Sequence, residues 1–243
     1  MSRLAHAVTD LASRQPKALK IERLLALTPQ EQPLQVLEIG TGAGAIAHYF
    51  GTHPRLRCAV TAVDVHDNRR IHDGYTYVPV RGVALPFPDS RFDVVISNHV
   101  IEHVGAEDAQ MEHLSEIRRV MKPGGKGYLA VPNRWMFTEP HYRLKFLSWW
   151  PRPLRTPYLR AMRKGERYDC EPLELWQLEG MLSAAGLDYR NLCVEALRET
   201  LEIERPGALV TRFFRQVPDG ALRPFRWLIP TLIYRVEKNE HDR

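Results

Sequence analysis

The stretch Val36-Leu37-Glu38-Ile39-Gly40-Thr41-Gly42-Ala43-Gly44 decides how the rest of the chain is read. An apolar-leaning run enters three glycines at alternate positions, and Ala45-Ile46-Ala47-His48-Tyr49-Phe50 then reads as a helix. The pattern is a strand, a tight turn and a helix start. Glycine accepts positive φ and lets a ligand approach the backbone closely. A helix start offers unpaired N–H groups to a carboxylate or phosphate. Buried parallel strands are nearly all apolar, so Glu38 is the odd residue in this one. A nucleotide-like cofactor is expected at the turn.

Outward from this stretch, strands alternate with helices. Cys58 to Val63 reads as a second strand ending in Asp64, twenty residues after Gly44. Tyr75 to Val80 is a third strand, Phe92 to Ser97 a fourth that opens a helix at Asn98, and Lys126 to Pro132 a fifth. Met111, Leu114, Ile117 and Met121 share one face of a helix over Glu107 to Met121, and Lys122-Pro123-Gly124-Gly125 is expected to stop it. Pro172 to Gly186 returns to helical period, Tyr189 to Val194 is a sixth strand, and Thr231 to Val236 the last. This rhythm predicts an α/β fold with a parallel sheet. Residues 1–34 read as an N-terminal helical cap, with Leu4, Val8 and Leu11 on one helix and Ile21, Leu24 and Leu25 on another.

Two segments break the rhythm. Residues 133–170 show no clean period and are dense in aromatic, proline and basic residues; residues 197–230 form a second interruption carrying Phe213, Phe214, Phe225 and Trp227. Both are expected as lid insertions over one end of the sheet, within a single domain spanning residues 1–243. The chain of 243 residues with 44% apolar content can bury a full core, and one domain with insertions fits better than two.

Three separated cysteines, Cys58, Cys170 and Cys193, with no CxxC pair, argue against a disulfide framework or a structural zinc site and fit a reducing compartment. The first residues lack the apolar core of a signal peptide, and no run of about 18 apolar residues occurs. A cytoplasmic protein is expected. The formal charge of +5 is uneven: residues 143–167 hold eight basic residues and one acid, so that segment is +7 and the remainder about −2.

Gly40-Thr41-Gly42-Ala43-Gly44-Ala45 alone also satisfies a dinucleotide-binding pattern, with Asp64 where such folds keep a ribose-binding acid. The surrounding segments choose. Glu38 lies two residues before Gly40, Asp64 ends strand two, Leu85-Pro86-Phe87 precedes strand four, and Lys122-Pro123-Gly124-Gly125 precedes strand five. This ordered set resembles the class I S-adenosylmethionine-dependent methyltransferases, in particular the small-molecule group with an LPF-x-D-x-x-FD segment. The resemblance covers residues 34–132, resumes over 172–194 and takes in the last strand.

The resemblance implies a Rossmann-like, doubly wound, seven-stranded mixed sheet, its last strand antiparallel, with helices on both faces and an inserted substrate lid. It implies S-adenosylmethionine as cofactor. Glu38, Gly40, Thr41, Gly42 and Gly44 would line its methionine part, and Asp64 would accept from both ribose hydroxyls. Val65 would flank the adenine on one side, Val83 and Ala84 on the other, and Asn98 and His99 would face the sulfonium. The family's acid four residues before the LPF leucine is absent, since Arg81 stands there.

His99-Val100-Ile101-Glu102-His103 spells the H-x-x-E-H zinc pattern. A catalytic zinc needs at least a third protein ligand, and the sequence fixes none, so no metal is assigned. Methyl transfer is an in-line displacement, in which alignment and exclusion of water matter most. A base is needed only for an acceptor protonated at neutral pH, such as a hydroxyl. The candidate catalytic residues are His99 and, beyond strand five, Glu139, His141 and Tyr142. The Asp/Asn-Pro-Pro-aromatic sequence of amino-group methyltransferases is missing, since Ser97-Asn98-His99-Val100 stands there.

In the first insertion Trp135, Phe137, Tyr142, Phe146, Trp149, Trp150 and Tyr158 intermix with the basic residues. Three readings fit: a solvated lid, a peripheral contact with anionic membrane through residues 143–167, and an RNA-binding face. The second insertion favours lipid over RNA. The expected function is O-methylation of a hydroxyl on a small-molecule, glycan or lipid-linked acceptor. An RNA methyltransferase and a catalytically silent methyltransferase-like binding module are the alternatives.

Overall fold

The computed structural model describes residues 14–238. In chain order it holds α1 (Arg14–Leu25), β1 (Leu34–Ile39), α2 (Ala45–Gly51), β2 (Cys58–Asp64), β3 (Thr76–Pro79) and β4 (Phe92–Asn98). Then come α3 (Ile101–Val104), α4 (Glu107–Val120), β5 (Met121–Pro132), β6 (Thr138–Glu139), β7 (Leu144–Lys145) and α5 (Arg152–Ala161). The chain ends with α6 (Leu175–Ala184), β8 (Leu187–Asn191), α7 (Cys193–Glu204), α8 (Leu209–Gln216), α9 (Asp219–Leu222) and β9 (Thr231–Lys238). The helix expected around Leu4, Val8 and Leu11 lies outside the described residues.

Seven strands form one sheet in the order β3-β2-β1-β4-β5-β9-β8. Strands β1 to β5 pair in parallel, while β9 runs antiparallel to both β5 and β8. The Rossmann-like mixed sheet with its reversed last strand is therefore present. The period-2 alternation of each strand sends its side chains into two cores. Leu37, Val95, Leu129 and Val131 pack with Leu114 and Ile117 of α4 and Leu178 of α6 on one face. Val36, Ile96, Tyr128 and Ala130 pack with Ile21 of α1, Phe50 of α2 and Ala196 of α7 on the other. The chain leaves β1 for β2 on one side and returns for β4 on the other. This switch point opens a crevice beyond the strands' carboxyl ends, where open α/β sheets bind ligands.

Three boundaries differ from the sequence expectation. Lys122-Pro123-Gly124-Gly125 is not a stop outside the sheet: β5 already begins at Met121, opposite Phe92, and the next registered pair is Val94 with Lys126. The tetrapeptide is an irregularity inside the ladder, made feasible by Gly124 at φ 71°. The helix expected to open at Asn98 starts only at Ile101, because His99 takes φ 59° and breaks the run. The sixth strand ends at Asn191, whose Oδ1 accepts the Cys193 N–H at 3.0 Å, and α7 follows at once.

The first insertion is also more regular than its sequence suggests. It holds the β6–β7 hairpin and α5. Two prolines, Pro153 and Pro157, mask that helix in the sequence. Arg155 and Leu159, four residues apart, form its buried face. Arg155 is therefore not a membrane-facing cation: its Nε donates to the Trp150 carbonyl at 2.8 Å and its Nη1 lies 3.4 Å from Glu171.

Candidate functional site

The glycine turn is welded to β2. The Gly40 and Thr41 N–H groups donate to the Val63 carbonyl at 2.8 and 3.2 Å. Gly40, Gly42 and Gly44 all adopt positive φ, 73°, 53° and 83°. Gly40 is additionally constrained by space, since a Cβ there would lie 2.5 Å from Val100 Cγ2.

Glu38 is 2% exposed and turns back into its own turn. Its Oε2 accepts from Thr41 Oγ1 at 2.7 Å and from the Ala47 N–H at 3.0 Å. Burial pushes its carboxyl up to about 8, against the pull of those hydrogen bonds and of Arg14. Glu38 and Thr41 thus brace the turn from within.

Asp64 stands at the end of β2. Its Oδ2 accepts the Gly42 N–H at 2.8 Å and its Oδ1 the His66 N–H at 3.2 Å. A carboxylate offers about four lone-pair directions. Each Asp64 oxygen therefore keeps capacity for one further donor, as a ribose diol requires. Beside it Val65 is 53% exposed, Val83 is half-buried and Ala84 exposed. Arg81 is exposed.

The loop carrying Leu85-Pro86-Phe87 is fixed by two residues that the sequence reading passed over. Glu116 Oε2 accepts the Leu85 N–H at 2.7 Å. Arg119 donates to the Leu85 and Phe87 carbonyls at 3.0 and 2.7 Å. Their spacing of three along α4 puts them on one helix face, which was the available signal.

At the end of β4, Asn98 and His99 are both half-buried. His99 is held in the left-handed region by its N–H, which donates to the Ala130 carbonyl at 2.9 Å. Its Nδ1 lies 3.3 Å from Glu102 Oε1. Glu102 is wholly buried, and neither of its oxygens makes a hydrogen bond of good geometry. Burial pushes its carboxyl up, but the facing His99 and His103 imidazoles prevail and hold it below the usual carboxylate range.

The lid meets this group directly. Glu139, 1% exposed on β6, accepts from His141 Nδ1 at 2.7 Å and from the Tyr142 N–H at 2.7 Å. The His141 ring stands edge-on to His103, with centroids 5.2 Å apart. Burial pulls His141 down, but Glu139 outweighs it and its pKa lies above the ordinary imidazole value. The Tyr142 hydroxyl reaches the Arg167 carbonyl at 3.1 Å and Asp169 Oδ1 at 3.2 Å, and burial pushes the phenol up. Tyr142 stays protonated and braces the lid. Burial likewise pushes up the Cys170 thiol, which packs on the same group.

The fold thus gathers all four candidate catalytic residues into one cluster, joined through Glu102 and His103. In the sequence His103 and Glu102 stand out only through the H-x-x-E-H pattern, and Cys170 only as one of three separated cysteines. The adjacency of H-x-x-E-H to strand four was visible; its contact with a lid about forty residues later was not.

A methyltransferase-domain family profile matches residues 37–129. Among curated proteins, a ubiquinone/menaquinone biosynthesis C-methyltransferase of Shewanella frigidimarina is 30% identical over 104 residues, covering 38% of this chain and 40% of its own. A malonyl-[acyl-carrier protein] O-methyltransferase of Pectobacterium atrosepticum is 34% identical over 109 residues, covering 43% and 41%. The matches span less than half the length of these relatives. Among solved structures, the Burkholderia thailandensis 1,6-didemethyltoxoflavin-N1-methyltransferase, with bound S-adenosylhomocysteine, superposes with a TM-score of 0.53 at 19% identity, over 95% of this chain and 80% of that one. Its likeness carries the fold. The matched segment runs from β1 through the glycine turn, Asp64 and α4 into β5, and over that segment the chain is similar to a methyltransferase domain.

Proposed function

We propose that the protein is a methyltransferase that uses S-adenosylmethionine to methylate a hydroxyl of a small-molecule, glycan or lipid-linked acceptor. The observation that carries the hydroxyl is the His99–Glu102 pair at the mouth of β4. A buried carboxylate 3.3 Å from Nδ1 favours the proton on that nitrogen and leaves Nε2 as the acceptor. The cofactor supplies an electrophilic methyl group when bound. Asp64 and the glycine turn hold it, and the lid keeps water out. His99 Nε2 would take the proton of the acceptor hydroxyl as that oxygen becomes methylated. His141 is a weaker base candidate, since its Nδ1 is committed to Glu139 and its ring is packed on His103.

The two insertions support an amphipathic acceptor. Phe137, Phe146, Trp150 and Met162 are exposed on the first, and Leu209, Phe213 and Phe225 on the second. Arg152 and Arg215, at 62% and 66% side-chain exposure, belong to the same two insertions and are paired with Glu171 and Glu202. This combination of aromatic rings and cations suits the headgroup level of an anionic membrane. Among the described residues no helix is long and apolar enough to cross one. The relatives methylate carbon in one case and oxygen in another, so the oxygen assignment rests on the base.

Calorimetry with S-adenosylhomocysteine tests the cofactor site. Asp64→Ala is expected to weaken binding by at least about 10-fold, the loss of a charge-assisted hydrogen bond pair; unchanged affinity would refute the site. Incubating a cell extract with methyl-labelled cofactor and separating lipid, RNA, protein and small-molecule pools tests the acceptor. Label confined to RNA would refute the lipid or glycan reading, and no label anywhere would leave a binding module instead of an enzyme.

A further inference from the structure

His103, His141 and Cys170 come from three separate places, α3, the β6–β7 hairpin and the end of the lid. Their donor atoms all lie within 4.8 Å of one another. Cys170 Sγ is 3.8 Å from Nδ1 of His103 and 3.8 Å from Nδ1 of His141. A tetrahedral zinc with bonds of about 2.3 Å to sulfur and about 2.0 Å to nitrogen sets those atoms roughly 3.5 Å apart. Cys170 Sγ is therefore within a few tenths of an ångström of ligand spacing from each imidazole nitrogen.

The surroundings point the same way. Glu102, fully buried, has no well-formed hydrogen bond at either oxygen and lies 3.9 Å from Nε2 of His103. Metal at Nδ1 would fix the proton on Nε2, facing that carboxylate, which is the usual carboxylate–histidine–metal arrangement. Glu139 lies 2.7 Å from Nδ1 of His141, the nitrogen that faces Cys170. If the ion takes that nitrogen, Glu139 passes from hydrogen-bond acceptor to fourth ligand. The two histidine side chains remain 24% and 12% exposed, so an entry path exists.

We propose that His103, His141 and Cys170 bind one divalent ion of the zinc class, which clips the end of the lid to α3. A thiolate with two imidazoles selects zinc over magnesium or calcium, whose ligands are oxygens. The site differs from the one that H-x-x-E-H spells: His99 is outside the donor set, and the missing ligands come from the lid. Binding releases the Cys170 proton to solvent as the sulfur–metal bond forms. The Glu171 N–H, donating to the Glu102 carbonyl at 2.9 Å, already holds the lid end where the ion would fasten it. The site stands whether or not the chain transfers methyl groups.

Cobalt(II) chloride titrated into tag-free, chelator-stripped protein tests this. The expected result is saturation at a single equivalent, with a near-ultraviolet thiolate-to-cobalt charge-transfer band and tetrahedral visible bands, all displaced by zinc chloride. The chain has three cysteines, so persistence of the band in the Cys58→Ser/Cys193→Ala double variant assigns it to Cys170. Cys170→Ser should abolish the band, and His141→Gln should weaken cobalt binding by more than about 10-fold. Absence of the band in the unaltered protein, or its survival in Cys170→Ser, overturns the proposal. Should Cys170→Ser fail to fold, loss of the band in the double variant overturns it equally.

Discussion

Replacing Glu38 by Gln should remove a fall in stability with rising pH that the glycine turn imposes. The carboxyl of Glu38 is 2% exposed, and burial raises it from 4.5 to about 8. Between those values the folded chain holds a proton that the unfolded chain has released. Stability contributed by this group is therefore complete below about pH 4.5 and falls as pH climbs toward 8. Each pH unit in that window removes about 1.4 kcal/mol, for a total of order 5 kcal/mol. That is a large share of the roughly 5–15 kcal/mol that holds a typical domain folded. Glu38→Gln cannot ionise, but its amide oxygen can still accept the Ala47 N–H. Buried His113, pushed down to about 4, tilts the curve the other way in its own window and is common to both proteins. The difference between them therefore isolates Glu38. Urea denaturation followed by circular dichroism, at intervals from about pH 5 to about pH 8, should show the variant gaining on the unaltered protein by about 1 kcal/mol per unit. A difference that stays flat across the window would refute the buried, proton-retaining carboxyl.

Gly40→Ala should cost about 1–2 kcal/mol for its positive φ and about 1–3 kcal/mol more for the overlap with Val100. Val100→Ala in the same chain should recover the second part, and an equal cost in both backgrounds, measured by denaturation, would dismiss the overlap. His99→Asn, a residue that tolerates the left-handed region, should lower kcat by about 10²–10⁴ with little change in S-adenosylhomocysteine affinity; retained turnover would remove His99 as base. Charge reversal at Arg152, Arg160 and Arg163 should reduce flotation with anionic vesicles, and more so at low salt. Flotation equal to that of the unaltered protein would exclude the membrane face.

The glycine turn and strand ends expected to hold the cofactor were legible in the sequence because they are local. Glycines at 40, 42 and 44, Asp64 closing β2 and the residues after β4 each follow a strand whose alternation or apolar run announces it. The parallel α/β sheet followed from the same segments, and its reversed last strand from the resemblance they carry. The lid was less readable. Pro153 and Pro157 hide a real helix, and Arg155 counts as a surface charge until Leu159 shows that their shared face is buried. The cluster around Glu102 was invisible for a different reason. Its partners His141 and Cys170 approach only through tertiary folding, and no period or spacing encodes a contact between segments that far apart.

Asn133 joins the two insertions. It is fully buried at the end of β5, and its side-chain amide donates to the Trp227 and Ile229 carbonyls at 2.6 and 2.9 Å while its N–H donates to the Pro230 carbonyl at 2.9 Å. The first insertion begins at this residue and the second ends on its partners. The two insertions are therefore joined at this residue, and they should loosen as one cooperative unit in hydrogen exchange instead of moving separately.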